Sequence, residues 1–532
     1  VPTPAPSPAV VLRDLTFTWP DGAIALDALT GTFPTGRTGL VGDNGTGKST
    51  LLRLIAGDLA PTSGTVSVAG TAGYVPQRLT LDTDATVADL LGLRSALDAV
   101  RAIADGDVRP ELFDAVGDDW DVEERAVAAL AAAGLPHTAG VLDLAVGTLS
   151  GGEAVLTAVI GLRLRRPDVA LLDEPTNNLD GDARERLAEL VRTWRGALVV
   201  VSHDRDLLEL TDATAELRAG SLTTFGGPYS AYEQHLAVQQ EAALRSVRDA
   251  EQTWRRERRE RIKIADRVAH SQRQGRKDAA DAKFVKAAIN DRRNSAEKSQ
   301  GARRGAAAAA ESTARAAVET ARGAVRDDDR ITIDLPDPEV PASRRIAVLG
   351  SSDGRDVVVA GPQRVALSGP NGVGKTTLLR RLLAGPSPAG ELCTDRVGYL
   401  PQRLDGLDPR ATVLEAVRAG APGVAPGELR ARLARFLVRG AQVERPVATL
   451  SGGELFRVHL ARLLLAEPPA QLLVLDEPTN NLDLASVDRV VEALSSYRGA
   501  LLVVSHDRSF VDRLGVDTRL LLRSDGRLTE AS

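Results

Sequence analysis

Short uninterrupted apolar runs punctuate the chain, and they come in matched pairs. VALLDE (169–174) and LLVLDE (472–477) each end in two carboxylates, and ALVVVSH (197–203) and ALLVVSH (500–506) each end in Ser-His. GRTGLVG (36–42) and QRVALSG (363–369) each end in glycine. Apolar runs of this length without polar alternation predict strands covered on both faces, as in a parallel sheet. The glycine-ended runs lead into LLRLIAG (51–57) and LLRRLLAG (378–385), which predict helices. Strand, glycine turn and helix, occurring twice, predict two α/β domains, each with a central, largely parallel sheet.

Between the two sets the period changes. Ala243, Val247, Ala250 and Trp254 follow 4-3-4 spacing, as do Ala314, Val318, Ala321 and Val325. Two helices with narrow, small-residue seams predict an antiparallel hairpin. Gly275 and the polar run SQRQGRKDAADAK (271–283) belong near its turn. The expected organisation is a first α/β domain over 9–226, a helical linker over 227–330 and a second α/β domain over 331–532.

The 532 residues exceed what one ordinary core holds. No window nears the 18 apolar residues a membrane helix needs, and VPTPAPSPA at the start has no basic-then-apolar signal pattern. A cytosolic location is the expectation. Cys393 is the single cysteine, which excludes an internal disulfide, points to a small buried thiol and leaves no metal-ligand spacing. The net charge of −6 is uneven: residues 255–305 hold 17 Lys plus Arg against 7 Asp plus Glu, leaving −16 elsewhere. Seven of the 66 basic residues are lysines, and five of those (Lys263, Lys277, Lys283, Lys286, Lys298) lie in this stretch. A basic segment in an otherwise acidic chain favours contact with a phosphate backbone over a merely solvated helix pair. Phe284 is its only aromatic residue, so base stacking is a minor theme.

The other two lysines stand in phosphate-loop phrases. GDNGTGKST (42–50) and GPNGVGKTT (369–377) both fit GxxxxGK[ST], in which successive backbone N–H groups surround phosphate oxygens at a helix N-terminus. The phosphate contacts fall on Gly42, Asn44, Gly45, Gly47, Lys48, Ser49 and Thr50, and on Gly369, Asn371, Gly372, Gly374, Lys375, Thr376 and Thr377. Lys48 and Lys375 would reach the β and γ phosphates of a bound nucleotide, and Ser49 and Thr376 would ligate Mg²⁺. Asp173 and Asp476 end apolar strands, where a carboxylate can hold the magnesium shell; Glu174 and Glu477 follow, placed to orient a water as base. His203 and His506 each come 30 residues after their aspartate, which favours a γ-phosphate contact over a structural histidine. GYVPQ (73–77) pairs with GYLPQ (398–402), and TLSGGE (148–153) with TLSGGE (449–454). Gln77 and Gln402 gain weight only through this repetition.

With these phrases in the same order twice, the chain resembles the ATP-binding-cassette proteins across nearly all of its length outside the connector. In that family two cassettes face head to tail, and the signature of one completes the ATP site of the other. The resemblance thus implies one site joining Lys48, Ser49, Gln77, Asp173, Glu174 and His203 to Ser451, Gly452 and Gly453. The other joins Lys375, Thr376, Gln402, Asp476, Glu477 and His506 to Ser150, Gly151 and Gly152. Gln77 and Gln402 would enter the magnesium shell, and Asp180 and Asp483 would each face the other's site. The pairing is then intramolecular, within a monomer.

Importer ATPases share these motifs. The DEPTNNLD wording at 173–180 and 476–483, the basic connector and GGPYSAYEQ (226–234) before it instead resemble the ABC-F family, ribosome-acting translation factors and antibiotic-resistance proteins. That resemblance implies that the linker, through 255–305, reaches toward large-subunit rRNA, peptidyl-tRNA and the peptidyl-transferase centre. The interval from Gln77 to Ser150 is 73 residues and from Gln402 to Ser451 is 49, an excess small for the arm insertion of the translational-throttle type. Together with the long Arg-rich linker it resembles the actinobacterial resistance type, with ribosome protection against a large-subunit antibiotic as the implied function. A housekeeping factor for stalled ribosomes and a transporter's ATPase subunit are the alternatives. Two departures stand out: Trp19, in FTWPDG, takes the place of the family's aromatic under adenine, whereas ITIDLPDPEVP (331–341) offers no ring. After the first signature, AVLTAVIGLRL replaces the more usual basic, polar helix. Unequal ATP sites are the expectation.

Overall fold

The structure is a computed structural model that describes all residues except 1–7, 78, 80–84, 139, 178, 219, 281–285, 327–334, 481 and 531–532. Of the side chains between 271 and 300 it describes those of Arg273, Lys298 and Ser299. Two compact units emerge, Val1–Tyr229 with Asp329–Ser532, and Ser230–Asp328.

The first unit holds two copies of one architecture. Strands β1 (Pro8–Thr18), β2 (Ile24–Pro34) and β4 (Ser63–Val68) form an antiparallel sheet in the order β2-β1-β4. Strands β3 (Arg37–Val41), β5 (Ala72–Val75), β6 (Val169–Asp173), β7 (Ala197–Val201), β8 (Ala213–Arg218) and β9 (Ser221–Gly226) form a second in the order β5-β6-β7-β3-β8-β9. All neighbours in it are parallel except β8 and β9. The second copy repeats this with β10 (Arg345–Leu349), β11 (Val357–Ala360) and β13 (Gly390–Leu392) in the order β11-β10-β13. Its larger sheet comprises β12 (Arg364–Ser368), β14 (Val397–Leu400), β15 (Leu472–Asp476), β16 (Ala500–Val504), β17 (Thr518–Leu522) and β18 (Leu528–Glu530), ordered β14-β15-β16-β12-β17-β18.

Burial on both faces explains the uninterrupted apolar runs. On β6, Val169 and Leu171 enter one core, with β1, β2 and the helix Lys48–Ala56, while Ala170 and Leu172 enter another beneath the helix Gly151–Arg165. On β15, Leu472 and Val474 divide from Leu473 and Leu475 in the same way. The period-two alternation is present, but both faces are dry.

The excess between Gln77 and Ser150 consists of helix. Matching capping boxes, Thr86 with Asp89 and Thr412 with Glu415, open the helices Val87–Leu91 and Val413–Arg418. The second copy continues to Pro426–Arg435, while the first adds Arg94–Ala104 and Pro110–Val116 before Val122–Ala132. The apolar face of AVLTAVIGLRL joins the core of this helical layer, which contains Leu156, Ala158, Val159, Ile160 and Leu162 together with Leu91, Leu97 and Leu130.

Structure shifts one pairing drawn from sequence. Strand β1 has its counterpart in β10, so the residues matching FTWPDG are LGSSDG (349–354) and not ITIDLPDPEVP. Asp21 and Asp353 accept from the N–H two residues on at 3.0 and 3.1 Å, and Gly22 and Gly354 share a left-handed φ of 87° and 75°. Ser351 therefore occupies the place of Trp19. Cys393 is half-buried rather than enclosed.

The second unit is a pair of long helices, Tyr229–Ala280 and Lys286–Gly323. Ala314, Val318 and Ala321 are buried, with Val268, and Ala243, Val247, Ala250 and Trp254 are half-buried at their 4-3-4 spacing. Gln240 exchanges two hydrogen bonds with the backbone of Arg326 at 2.8 and 2.9 Å, Arg322 pairs with Glu251 at 2.8 Å, and Arg261 pairs with Glu311. Higher numbers on one helix meet lower numbers on the other, as antiparallel packing requires. The first helix runs through Gly275 and ends at Ala280, which leaves that glycine in the last turns of the helix. Lys283 and Phe284 lie outside the described residues, as do the side chains of Lys277 and Lys286. No described helix is long and apolar enough to cross a membrane.

Candidate active site

Three motifs meet at one sheet edge because the strands before them are parallel neighbours. In register, Leu40 of β3 pairs with Val201 of β7, and Val201 flanks Asp173 of β6. The loops leaving all three strands share the carboxyl edge, where open α/β sheets bind ligands. Leu367, Val504 and Asp476 repeat this in the second copy.

The phosphate loops are shaped by glycine. Gly42 and Gly369 both have φ 150°, and a Cβ added there would lie 2.4 Å from Leu217 O and 2.5 Å from Leu522 O. Gly47 and Gly374 are left-handed and start the helices Lys48–Ala56 and Lys375–Ala384. Lys48 Nζ donates to Gly42 O at 2.7 Å and Asp43 O at 2.9 Å, and Lys375 Nζ to Gly369 O at 2.7 Å and Pro370 O at 3.1 Å. Each ammonium is thus held in the mouth of its own loop. Burial lowers the pKa of both lysines against the pull of nearby carboxylates.

Ser49 Oγ donates to Asp173 Oδ1 at 3.1 Å, and Tyr74 OH to Asp173 Oδ2 at 3.0 Å. Thr376 and Tyr399 stand beside Asp476 in the same way but more loosely, and neither Asp476 oxygen has a well-formed hydrogen bond among the described residues. Burial raises both aspartates above the ordinary carboxylate range. The motifs themselves assign no role to the tyrosines of GYVPQ and GYLPQ. Their signal was the repetition of Tyr itself.

Glu174 and Glu477 are left-handed, at φ 48° and 49°, with their N–H groups tied to Val201 O and Val504 O at 2.8 Å. A non-glycine residue there stores strain that its surroundings must offset. His203 Nε2 lies 3.0 Å from Glu174 Oε1, and the Glu174 carboxylate has no other close polar contact among the described residues. In the second site His506 Nε2 lies 3.4 Å from Glu477 Oε1 and 2.8 Å from Lys375 Nζ. An ammonium donates only, so Nε2 accepts and His506 is neutral; burial first, then Lys375 and Arg184, bring its pKa down to about 4. Burial raises Glu477 to about 7.

The copies meet through two aspartates. Asn44 N donates to Asp483 Oδ2 at 2.9 Å, and Asn371 N to Asp180 Oδ2 at 3.1 Å. Each aspartate also caps its own helix, accepting from Ser486 N at 2.8 Å or Ala183 N at 3.0 Å. Burial opposes their charge, yet hydrogen-bond donors hold both below the usual aspartate pKa: the Ser486 side chain first and then the backbone N–H groups at Asp483, and the backbone N–H groups at Asp180.

A cavity of about 360 Å³ at the second loop is lined by Asn371, Gly372, Gly374, Lys375, Thr376, Thr377, Gln402, Asp476, Glu477, Asn480 and His506, with Leu179 and Arg184 from the first copy. Ser150, Gly151 and Gly152 do not line it. Ser150 and Ser451 instead cap their helices in capping boxes with Glu153 and Glu454, and Gly152 packs beside Leu179 and Ala183. Gln77 is exposed. Trp19 packs edge-on against Phe17 with ring centroids 4.9 Å apart, whereas Ser351 Oγ is used up by Asp353 Oδ1 at 2.6 Å and Leu528 N at 3.1 Å.

The sequence model of the family described as ABC transporter matches residues 26–177 and 356–480. The chain is 34% identical over 549 aligned positions to the tylosin resistance ATP-binding protein TlrC of Streptomyces fradiae, across 96% of both chains. It is 30% identical to the energy-dependent translational throttle protein EttA of Mycobacterium tuberculosis, across 95% of this chain and 87% of that one. Among solved structures, an archaeal ribosome recycling factor in complex with a ribosomal stalk protein superposes with a TM-score of 0.56 at 20% identity, covering 97% of this chain and 89% of that one. That last likeness is one of fold.

Proposed function

Because the chain belongs to the ATP-binding-cassette family, as an ABC-F type protein whose two cassettes bind and hydrolyse ATP, we propose that it binds the ribosome and protects it from a large-subunit antibiotic. The observation that carries this reading is the match along 96% of both chains to a protein named for tylosin resistance. A net charge of +10 over residues 255–305 adds a segment suited to RNA phosphates. In this reading the linker reaches toward peptidyl-tRNA and the peptidyl-transferase centre, displaces the drug, and leaves after hydrolysis.

Lys48 and Lys375 hold the β and γ phosphates, and Glu174 and Glu477 orient the attacking water. His203 and His506 contact the γ phosphate, and Ser451 to Gly453 or Ser150 to Gly152 complete each site when the cassettes close. Trp19 packs under the adenine of the first site. Mg²⁺ would neutralise charge on the transferred phosphoryl group. Ser49 with Asp173, and Thr376 with Asp476, would hold it, with Gln77 and Gln402 completing the shell. The buried, underused Asp476 oxygens suit a hard cation, and no three His, Cys, Asp or Glu residues form a cage among the described residues. An ion held by one carboxylate, a hydroxyl and phosphate oxygens fits that donor set.

The match to a translational throttle protein across 95% of the chain favours a second reading, a translation factor without a resistance role. Antibiotic susceptibility separates the two. A sensitive host expressing the protein is challenged with macrolides, lincosamides, streptogramins, pleuromutilins and phenicols, beside one expressing Glu174→Gln with Glu477→Gln. Protection by the active protein alone against at least one class supports the first reading; unchanged susceptibility to all five sinks it.

A further inference from the structure

Contacts between the cassettes come mostly in twos. Asp180 with Asn371 mirrors Asp483 with Asn44, and Arg508 with Glu185, at 3.0 Å, mirrors Arg205 with Asp488, at 2.8 Å. Arg184 has no mirror. Counted from the two aspartates, its counterpart is Val487, buried in the core of the second cassette.

Arg184 lies in the first turn of the helix Gly181–Arg192 and lines the cavity of Lys375, Glu477 and His506. Its Nε donates to Leu179 O at 3.3 Å and its Nη1 to Asp204 Oδ2 at 3.0 Å, with 18% of the side chain exposed. Asp204 follows His203 and caps the helix Arg205–Leu208, accepting from Leu207 N at 3.2 Å. One guanidinium thus joins the histidine loop of the first site to the cavity of the second. Nη2 makes no hydrogen bond among the described residues. A planar guanidinium anchored through two nitrogens and open at the third is preorganised to take a phosphate oxygen.

We propose that Arg184 serves the second nucleotide site in trans, offering Nη2 to the terminal phosphate of the nucleotide held by Lys375, so that this site depends on the histidine loop of the first. The first site receives no such group from the equivalent helix, because Val487 stands where its arginine would be. The two sites are therefore unequal in mechanism, beyond the difference between Trp19 and Ser351. This rests on the assignment of Lys375 and Glu477 to a nucleotide site.

Steady-state ATP turnover in two backgrounds tests it: Glu174→Gln, which leaves the second site active, and Glu477→Gln, which leaves the first. Arg184→Val is expected to lower kcat about tenfold or more in the first background and less than about threefold in the second. Arg184→Lys, which restores charge without the fork, recovers part of the loss. Equal losses in both backgrounds, or none where the second site works alone, overturn the proposal. Should Arg184→Val unfold at a lower temperature than its parent, Arg184→Gln provides the same comparison with the stem and a donor to Asp204 kept. If neither Glu→Gln exchange reduces turnover, the site assignment fails, and the role of Arg184 with it.

Discussion

Asp483 caps a helix in one cassette and, through its other carboxylate oxygen, accepts the backbone N–H of Asn44 in the phosphate loop of the other, at 2.9 Å. One side chain thus links local helix stability to the meeting of the two halves. Asp180 does the same toward Asn371.

Replacing Asp483 with Ala removes both bonds. Loss of the cap costs about 1 kcal/mol, and the Asn44 N–H loses a charged acceptor. Thermal unfolding is expected to show the cap cost, and ATP turnover of Asp180→Ala with Asp483→Ala to fall more than that of either single variant. Turnover of the double variant equal to wild type would separate these aspartates from the reaction.

The same carboxylate sets a pH dependence. Donors from Ser486 and Asn44 outweigh burial and hold Asp483 below the aspartate value of 3.8. A depressed acid contributes stability above its unfolded pKa and loses it as pH falls through the folded one. The gap in unfolding free energy between wild type and Asp483→Asn should therefore be full near pH 7 and shrink below about pH 4. A gap that widens in acid would contradict the assignment.

Glycines of one loop divide by their surroundings. Gly42→Ala puts a methyl group 2.4 Å from Leu217 O, whereas at Gly45 nothing lies within 4 Å, so Gly45→Ala meets only the cost of its φ of 82°. That second cost is about 1 kcal/mol. Titration with a fluorescent ATP analogue is expected to show Gly42→Ala losing the first site and Gly45→Ala weakening it by no more than about tenfold. The opposite ranking would argue against the loop geometry.

Trp19 and Ser351 occupy equivalent turns. Stacking of a base on an aromatic ring is worth about 1–3 kcal/mol. Trp19→Ala should weaken the first site accordingly, and quenching of the Trp19 fluorescence should report its filling. Quenching unchanged by Trp19→Ala would remove the ring from the nucleotide.

Much of this was legible in the sequence for a physical reason. Lys48 and His203 follow, and Asp173 ends, a strand buried on both faces, so these three groups sit beside runs that composition makes visible. The fold class followed from the same runs. What stayed hidden depends on groups brought together from distant segments. Tyr74 meets Asp173 across neighbouring strands, Arg184 meets a cavity of the other cassette, and the strain at Glu174 and Glu477 leaves no compositional mark. ITIDLPDPEVP falls opposite FTWPDG by its place before the second half, whereas β10 keeps the position of β1 at less than half its length, five residues against 11. The structure aligns what the wording does not.

The proposed function requires ATP to close the two cassettes into a form that holds the ribosome through the basic helix pair. Cosedimentation of Glu174→Gln with Glu477→Gln with 70S ribosomes, with and without ATP, tests it most directly. Enrichment in the ribosome pellet only with ATP, lost as salt rises, is the predicted result; a pellet no richer with ATP than without it would contradict the account.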